Sequence, residues 1–560
     1  MVKKIFNFIG REIVGLHEAA YLLAFFTFFS QVLALVRDRI LASTFGTSSV
    51  IDVYYASFRI PDLIFVIITS LISASVLVPF LTKHLDDKQK VKHIVDSLFS
   101  FFLIMAVLIS CFAFFFLPIL LRLAVPGIAS GPFSEQLLVF SRILLLSPIL
   151  LGLSQLFGSV VQSYRRFFIY AISPVLYNLG IILGIVFLYP ALGNVGLVLG
   201  VIVGLLFHVA IQIPTVYRKK LLPKFTLHID WQAIKEVILV SLPRTITLAS
   251  TQIILLVLVA VASLLTVGSI TVFNFAYNLQ AVPLAIIGVS YTLAAFPTLS
   301  RLFVIGKTDE FLNHLITAAR HIIFWSIPVI SMFVVLRAQI VRTIFGSGEF
   351  NWNDTRLTAA ALAIFSVSVL SQCLILLFVR GYYSSGQTRK PLLINIFSLF
   401  LTLILIFTFV STFKSSEHFR VFIESLLRVR GISGTVVLML PLAFSIGMII
   451  NSILLWISFE KDFRGFSKTL WRTLRQSFSA SIIAGFVAFL FLQLFAIVFD
   501  LTTLRGIFLQ GLISGILGLL FGLSFLVLFK NPEVYEIWKA LKHKIWKIKP
   551  TVIDQEDLLS

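Results

Sequence analysis

The chain has 560 residues, of which 59% are hydrophobic and only 12% charged, with a mean hydropathy of +1.02. A soluble domain has about a quarter of its residues charged, so this composition excludes one and indicates a polytopic helical membrane protein. The formal net charge of +20 does not require nucleic acid, because the cytoplasmic loops of membrane proteins collect Lys and Arg.

Residues 1–18 form a basic, partly amphipathic lead-in (Lys3, Lys4, Arg11) with no small-residue cleavage site after it. Fourteen apolar segments near membrane-spanning length follow, at about 19–43, 53–82, 95–121, 136–162, 168–190, 194–216, 236–265, 270–298, 312–340, 357–379, 391–412, 435–458, 477–499 and 506–529. With the N-terminus in the cytoplasm, the even-numbered loops carry Lys83/Lys88/Lys90/Lys92, Arg165/Arg166, Arg218/Lys219/Lys220/Lys224, Arg301/Lys307, Arg389/Lys390 and Lys461/Arg464/Lys468/Arg472. The tail at 531–560 is basic as well, and the odd-numbered loops are nearly bare apart from Lys414, Arg420, Arg428 and Arg430. The bias predicts both termini inside.

Within the first two segments stand Arg37, Asp38, Arg39, Asp52, Arg59 and Asp62, around a short hinge at Gly46. Ionisable groups in membrane helices usually face a partner or a wet cavity, so six of them predict a polar interior; those near the hinge also suit interfacial anchoring. Ser30 with Arg37, and Gln31 with Asp38, share helical stripes, and Arg59 with Asp62 is an i,i+3 pair. Arg142 in the fourth segment and Arg244 at the head of the seventh add positive charge. A convergence of these arginines suits a phosphate or diphosphate, which guanidinium holds in bidentate fashion.

An internal repeat runs at an offset near 220 residues. Asp52, Tyr55 and Pro61 recur as Asn274, Tyr277 and Pro283, Val78–Leu81 matches Phe296–Leu299, and Pro174…Asn178 answers Pro391…Asn395. Six spans per repeat give both halves the same orientation, related by a pseudo-two-fold along the membrane normal, with a site between them near the midplane. The expected organisation is an N-terminal six-helix lobe at 19–220, a C-terminal six-helix lobe at 221–460, two further helices at 461–530 and the cytoplasmic tail. Pro61 and Pro283 are expected to bend equivalent helices, and with Gly46 they are the hinge candidates.

No catalytic domain is legible. Gly306-Lys307-Thr308 lacks the first glycine of a P-loop, where Arg301 stands. Asp86-Asp87 sits among lysines without a second acidic cluster, and His208 and His321 have no companions at metal spacing. Cys111 and Cys373 lie far apart in apolar runs and read as packing residues. A transporter without cofactor or metal is expected, energised by membrane potential or an ion gradient.

The run SQVLALVRDRILASTFG…DVYYASFRIPDL resembles the first two helices of the MurJ/MviN family of lipid II flippases, within the multidrug/oligosaccharidyl-lipid/polysaccharide superfamily. The resemblance continues through VQSYRRFFIYAISPVLYN, FAYNLQAVP…FPTLSR and YYSSGQTRKPLLIN, and fourteen spans fit that family better than twelve-span MATE exporters. It implies a bacterial plasma-membrane flippase for a polyprenyl-diphosphate-linked saccharide, with Arg37, Asp38, Asp52 and Arg59 matching the family pattern. It also implies a groove for the lipid tail along the last two helices. The family's other cavity arginines appear here as Gln31, Phe65 and Asn278, and its acidic-Gly pair as Ser70-Leu71. The expected substrate-contacting set is therefore Arg37, Arg59, Asp38, Asp52, Ser30, Gln31 and Asn278, with Arg142 and Arg244 as compensating cations. Lipid II is the expected substrate and a monomer the expected state, in contact with membrane lipids and no nucleic acid. A flippase for another lipid-linked glycan, a MATE-like antiporter and a non-transporting scaffold are the rivals.

Overall fold

The computed structural model describes residues 16–69, 87–164 and 166–545. The beginning of the lead-in, the second half of segment two with Ser70-Leu71 and Val78–Leu81, Asp86, Arg165 and the end of the tail lie outside the described residues. What is described is almost wholly helical, without a strand. Among the described residues eleven helices are long and apolar enough to cross a membrane, and twelve if the bent pair Trp352–Val367 and Val369–Ser384 is one span. The two remaining expected segments are occupied by the helix Leu16–Phe45 and by the broken helix Ser49–Ser57/Arg59–Thr69. Among the described residues, helix, whole or interrupted, thus falls within each of the fourteen expected segments, which are numbered below as spans one to fourteen.

Three departures from the expected segments have local causes. Span four is interrupted at Leu145, between Ser134–Leu144 and Leu146–Ser163. Span nine ends at Val335, and Arg337–Phe345 is a separate helix whose mean composition is too polar to continue it. The loop after span eleven, expected to be unpatterned, holds the amphipathic helix Glu417–Leu427, capped by the Ser416 hydroxyl on the Phe419 amide.

Close helix contacts are made where glycine removes the side chain. Span five (Phe167–Leu183 and its continuation) and span six (Val195–Ala210) approach at Gly180 against Gly204 and Gly184 against Gly200. A Cβ at either position would overlap the opposing backbone, which is the small-residue packing that lipid-embedded helices use in place of a hydrophobic drive. Spans thirteen (Phe466–Val498) and fourteen (Leu504–Leu528) are joined in the same way. A Cβ on Gly518 would lie 2.5 Å from the Ala484 carbonyl and 2.8 Å from the Ala488 Cβ. Span thirteen also packs along span nine (Thr308–Val335), so the last pair is fixed to the second group of six helices. Its outward residues, among them Phe478, Ile482, Phe486 and Leu494, are exposed and apolar, as a lipid-facing surface requires.

Candidate functional site

Span one brings Arg37 and Asp38 to the boundary between the first six helices and the next six. Asp38 is fully buried and its carboxylate is saturated from three elements. Its Oδ1 receives Arg37 Nε at 2.8 Å and Nη2 at 2.7 Å, with the Tyr55 hydroxyl at 3.4 Å, and its Oδ2 receives Asn278 Nδ2 at 2.9 Å. Arg37 Nη1 donates to Asn178 Oδ1 at 3.2 Å, and Asn178 Nδ2 in turn reaches the Ser30 hydroxyl at 3.2 Å. A charged pair inside a membrane fold is tolerated when its remaining donors and acceptors are met in this way.

Arg59 opens the second half of span two. Its Nη2 donates to Asn274 Oδ1 on span eight at 2.6 Å, while its buried Nε has no hydrogen-bond partner. The carboxylate of Asp62, one turn further on, makes no hydrogen bond or ion pair among the described residues. These groups surround a cavity of about 360 Å³ lined by Arg37, Tyr54, Tyr55, Arg59, Asp62 and Tyr177, with Gln252, Asn274, Tyr277 and Asn278 completing its polar wall. Arg37 lies eight residues before the end of span one at Phe45. That is about 12 Å of helix, so the cavity is near mid-depth in a hydrocarbon core of about 30 Å.

The odd-loop end of the cavity is closed by ties between the two groups of six helices. Asp52 accepts from the Gly268 amide at 2.6 Å, the Thr271 amide at 2.8 Å and the Thr271 hydroxyl at 2.6 Å. It therefore caps the N-terminus of span eight from span two, where the helix dipole favours an anion. Arg39 Nη1 donates to the carbonyls of Thr343 at 2.5 Å and Ile344 at 3.1 Å, at the C-terminal end of Arg337–Phe345. Thr47 Oγ1 donates to Asp354 Oδ1 at 2.6 Å, and the Glu349 amide to the Ser43 carbonyl at 3.0 Å. Gly46 has a left-handed φ of +59°, and a Cβ there would lie 2.7 Å from the Glu349 carbonyl, so the closure needs glycine.

The sequence candidates therefore separate. Arg37, Asp38, Arg59, Ser30 and Asn278 converge on the cavity, either lining it or holding a residue that does. Asp52 is spent on the cap, and lines a separate pocket of about 200 Å³ at the odd-loop end. Gln31 lies half-exposed on span one, outside the cavity lining. Arg142 is a correction, since its guanidinium sits 4.7 Å over the Phe114 ring and does not reach the cavity. The side chain of Arg244 lies outside the described residues. Pro61 and Pro283 do mark irregular helix, though differently. The chain breaks at Phe58, just before Pro61, whereas a π-helical stretch, Leu284–Val289, follows Pro283.

Sequence reasoning missed Asn178, Asn274, Tyr54, Tyr177 and Gln252 as site residues. Asn178 and Asn274 carried a signal, since both were members of repeated pairs. Among the described residues no group of three or more His, Cys, Asp or Glu is placed to hold a metal ion. A second concavity, of about 380 Å³ and almost wholly apolar, lies between spans ten, twelve and thirteen, lined by Leu370, Leu374, Ile453, Trp456 and Trp471.

Comparisons with known proteins agree with this fold. The family model described as "Lipid II flippase MurJ" matches residues 41–509. A Burkholderia cenocepacia protein described as "Lipid II flippase MurJ" is 25% identical over 468 residues, 80% of this chain and 84% of that one. A Buchnera aphidicola protein described as "Probable lipid II flippase MurJ" is 26% identical over 382 residues, covering 67% and 74% of the two chains. Among solved structures, "Lipid II flippase MurJ, inward closed conformation" superposes with a TM-score of 0.72 at 20% identity, covering 92% of this chain and all of that one. An inward-facing MATE multidrug transporter superposes with a TM-score of 0.62 at 15% identity, covering 78% of this chain and 96% of that one. With the family model spanning most of its length, and eleven or more apolar helices, this multi-pass inner-membrane chain is a member of the lipid II flippase MurJ family.

Proposed function

We propose that this protein carries lipid II, the polyprenyl-diphosphate-linked precursor of peptidoglycan, from the inner to the outer leaflet of the plasma membrane by alternating access. The observation that carries the reading is the mid-depth cavity, where Arg37 and Arg59 keep guanidinium donors unspent while the odd-loop end is tied shut. A fork of spare N–H groups is suited to phosphate oxygens, and a low-dielectric surround strengthens that contact. We place the even-numbered loops and both termini in the cytoplasm on the Lys/Arg bias, which makes the closed end the outer one. The headgroup then enters from the cytoplasmic side, between a lobe of the first six spans and a lobe of the next six. The lipid tail stays in the bilayer along spans thirteen and fourteen, close to the apolar concavity beside Trp456 and Trp471. A monomer suffices for this cycle, and membrane potential or an ion gradient resets it.

The test is complementation. This chain is expressed in a bacterium whose own lipid II flippase is shut off, beside Arg37→Ala at matched membrane levels. The reading predicts growth with the parent chain and lysis with the variant. Lysis with both, after correct insertion, contradicts it and favours a second reading, a flippase for another lipid-linked glycan. That alternative draws on Gln31, Phe65 and Asn278 standing where the resemblance led one to expect arginines, and on a cavity whose two arginines are balanced by Asp38 and Asp62.

A further inference from the structure

The charge balance of the cavity is the unexplained feature. Arg37 and Arg59 contribute two positive charges, and Asp38 and Asp62 remove both. The two carboxylates are not equivalent. Asp38 is locked to Arg37, Tyr55 and Asn278 and orients them. Asp62 faces the same cavity with no donor on either oxygen among the described residues, although Arg59, three residues earlier on the same helix, has an unpartnered Nε. An anionic headgroup drawn to the two arginines meets this free carboxylate, and like charges side by side in a low-dielectric site repel strongly.

We propose that Asp62 binds one proton together with the anionic headgroup, and that loss of this proton expels it. The inference rests on the lipid-linked diphosphate reading above. The step is a simple protonation: bulk water supplies the proton, the carboxylate becomes a carboxylic acid, and the cavity gains one net positive charge. The neutral acid keeps a hydroxyl donor for a phosphate oxygen, whereas the carboxylate has only acceptors. The titratable and charged groups facing Asp62 across the cavity are Arg37 of span one, Tyr54, Tyr55 and Arg59 of span two, Tyr177 of span five and Tyr277 of span eight. The neighbouring helix Leu146–Ser163 has no titratable side chain, and no described charge of Lys88–Ala124, Ser134–Leu144 or Trp231–Ser263 reaches the lining. Asp62 is therefore the group at this site with the freedom to change charge. A proton, unlike a metal ion, needs no further oxygen ligands, and the described residues offer no cluster of three to hold a metal.

The experiment uses the full chain in nanodiscs and a short-chain lipid II as the probe, with binding followed by calorimetry from pH 5.5 to 8.5 in two buffers of different ionisation enthalpy. The proposal predicts uptake of about one proton per headgroup at high pH, with affinity falling about tenfold per pH unit there. Asp62→Asn, which keeps the shape and removes the charge, should bind with no proton uptake and a flat pH profile. An unchanged profile and proton count in Asp62→Asn would overturn the proposal. So would a sodium dependence at fixed pH that this variant abolishes, since the carboxylate would then take a metal cation. Absence of lipid II binding by the parent chain at every pH, in preparations with normal thermal melting, would instead overturn the substrate reading itself.

Discussion

Arg37 is gripped by Asp38 on one side and Asn178 on the other, so its remaining donors are aimed and not searching. A hydrogen bond to a charged group contributes about 1.5–3 kcal/mol net, and its loss leaves a buried cation half-met. Asp38→Asn is therefore expected to lower the thermal midpoint of the purified protein by several degrees, measured by fluorescence melting, and to weaken lipid II binding together with it. Asp52 works differently, since it holds two backbone amides at the start of span eight. Asp52→Asn places an amide NH₂ against one of them. Labelling of a Val53→Cys reporter, at a position now fully buried, by a membrane-impermeant maleimide should then rise severalfold as the odd-loop end loosens. Charged residues in an apolar run made Arg37, Asp38 and Arg59 legible in the sequence. Tyr177 and Gln252 were not, because a neutral polar side chain in a membrane helix has many packing uses and only the tertiary partner decides among them. Arg142 illustrates the same limit, as its charge was visible and its direction towards Phe114 was not.

At the scale of helices, hydropathy located the apolar spans but not the polar helices Arg337–Phe345 and Glu417–Leu427, and composition alone did not locate the breaks. The interruptions at Phe58, Leu145 and Ser368 fall within apolar runs whose average is unchanged by them. The glycines of spans five and six show what sets the spacing. Gly180→Val puts two methyl groups where the Gly204 backbone already lies, and overpacking of this kind costs about 1–3 kcal/mol. A lower melting temperature with lower membrane yield is expected, whereas Gly158→Ala, where a Cβ would make only van der Waals contacts of 3.4 Å or more with Tyr170 and Gln212, is the milder control. The helix Pro532–Ile545 after span fourteen is pinned through Glu533, which is fully buried. It accepts from Arg320 Nε at 2.7 Å and from the Thr473 hydroxyl at 2.6 Å. Burial by itself would raise the Glu533 carboxyl, but the Thr473 and Arg320 hydrogen bonds outweigh it and hold the group below its usual range. A depressed folded value means the docking energy is fully present above the unfolded carboxyl pKa, about 4.3, and disappears as pH falls through the folded value. Protease cleavage near Lys539 should accordingly be slow at neutral pH and accelerate only in strong acid, and Glu533→Gln should be cleaved faster already at neutral pH.

For the molecule as a whole, the repeat at an offset near 220 residues foreshadowed a site shared between two halves, and Arg59 on span two does meet Asn274 on span eight. The closure at the odd-loop end was not legible, because it joins helix ends and turns that carry no common pattern: Ser43 to Glu349, Thr47 to Asp354 and Arg39 to Thr343. These contacts are what a rocking cycle has to break, since a headgroup in the cavity reaches the far side only when they part. The most direct measurement is lipid II accessible to a membrane-impermeant probe on the outside of spheroplasts that depend on this chain. It would use a Thr47→Cys/Asp354→Cys chain in which Cys111 and Cys373 are serine, before and after bridging with a short cleavable dithiol reagent. The account predicts accessible lipid II near the parent level before bridging, a fall to background once the bridge forms, and recovery on reduction. Undiminished appearance of lipid II outside with the bridge closed would contradict alternating access through this cavity.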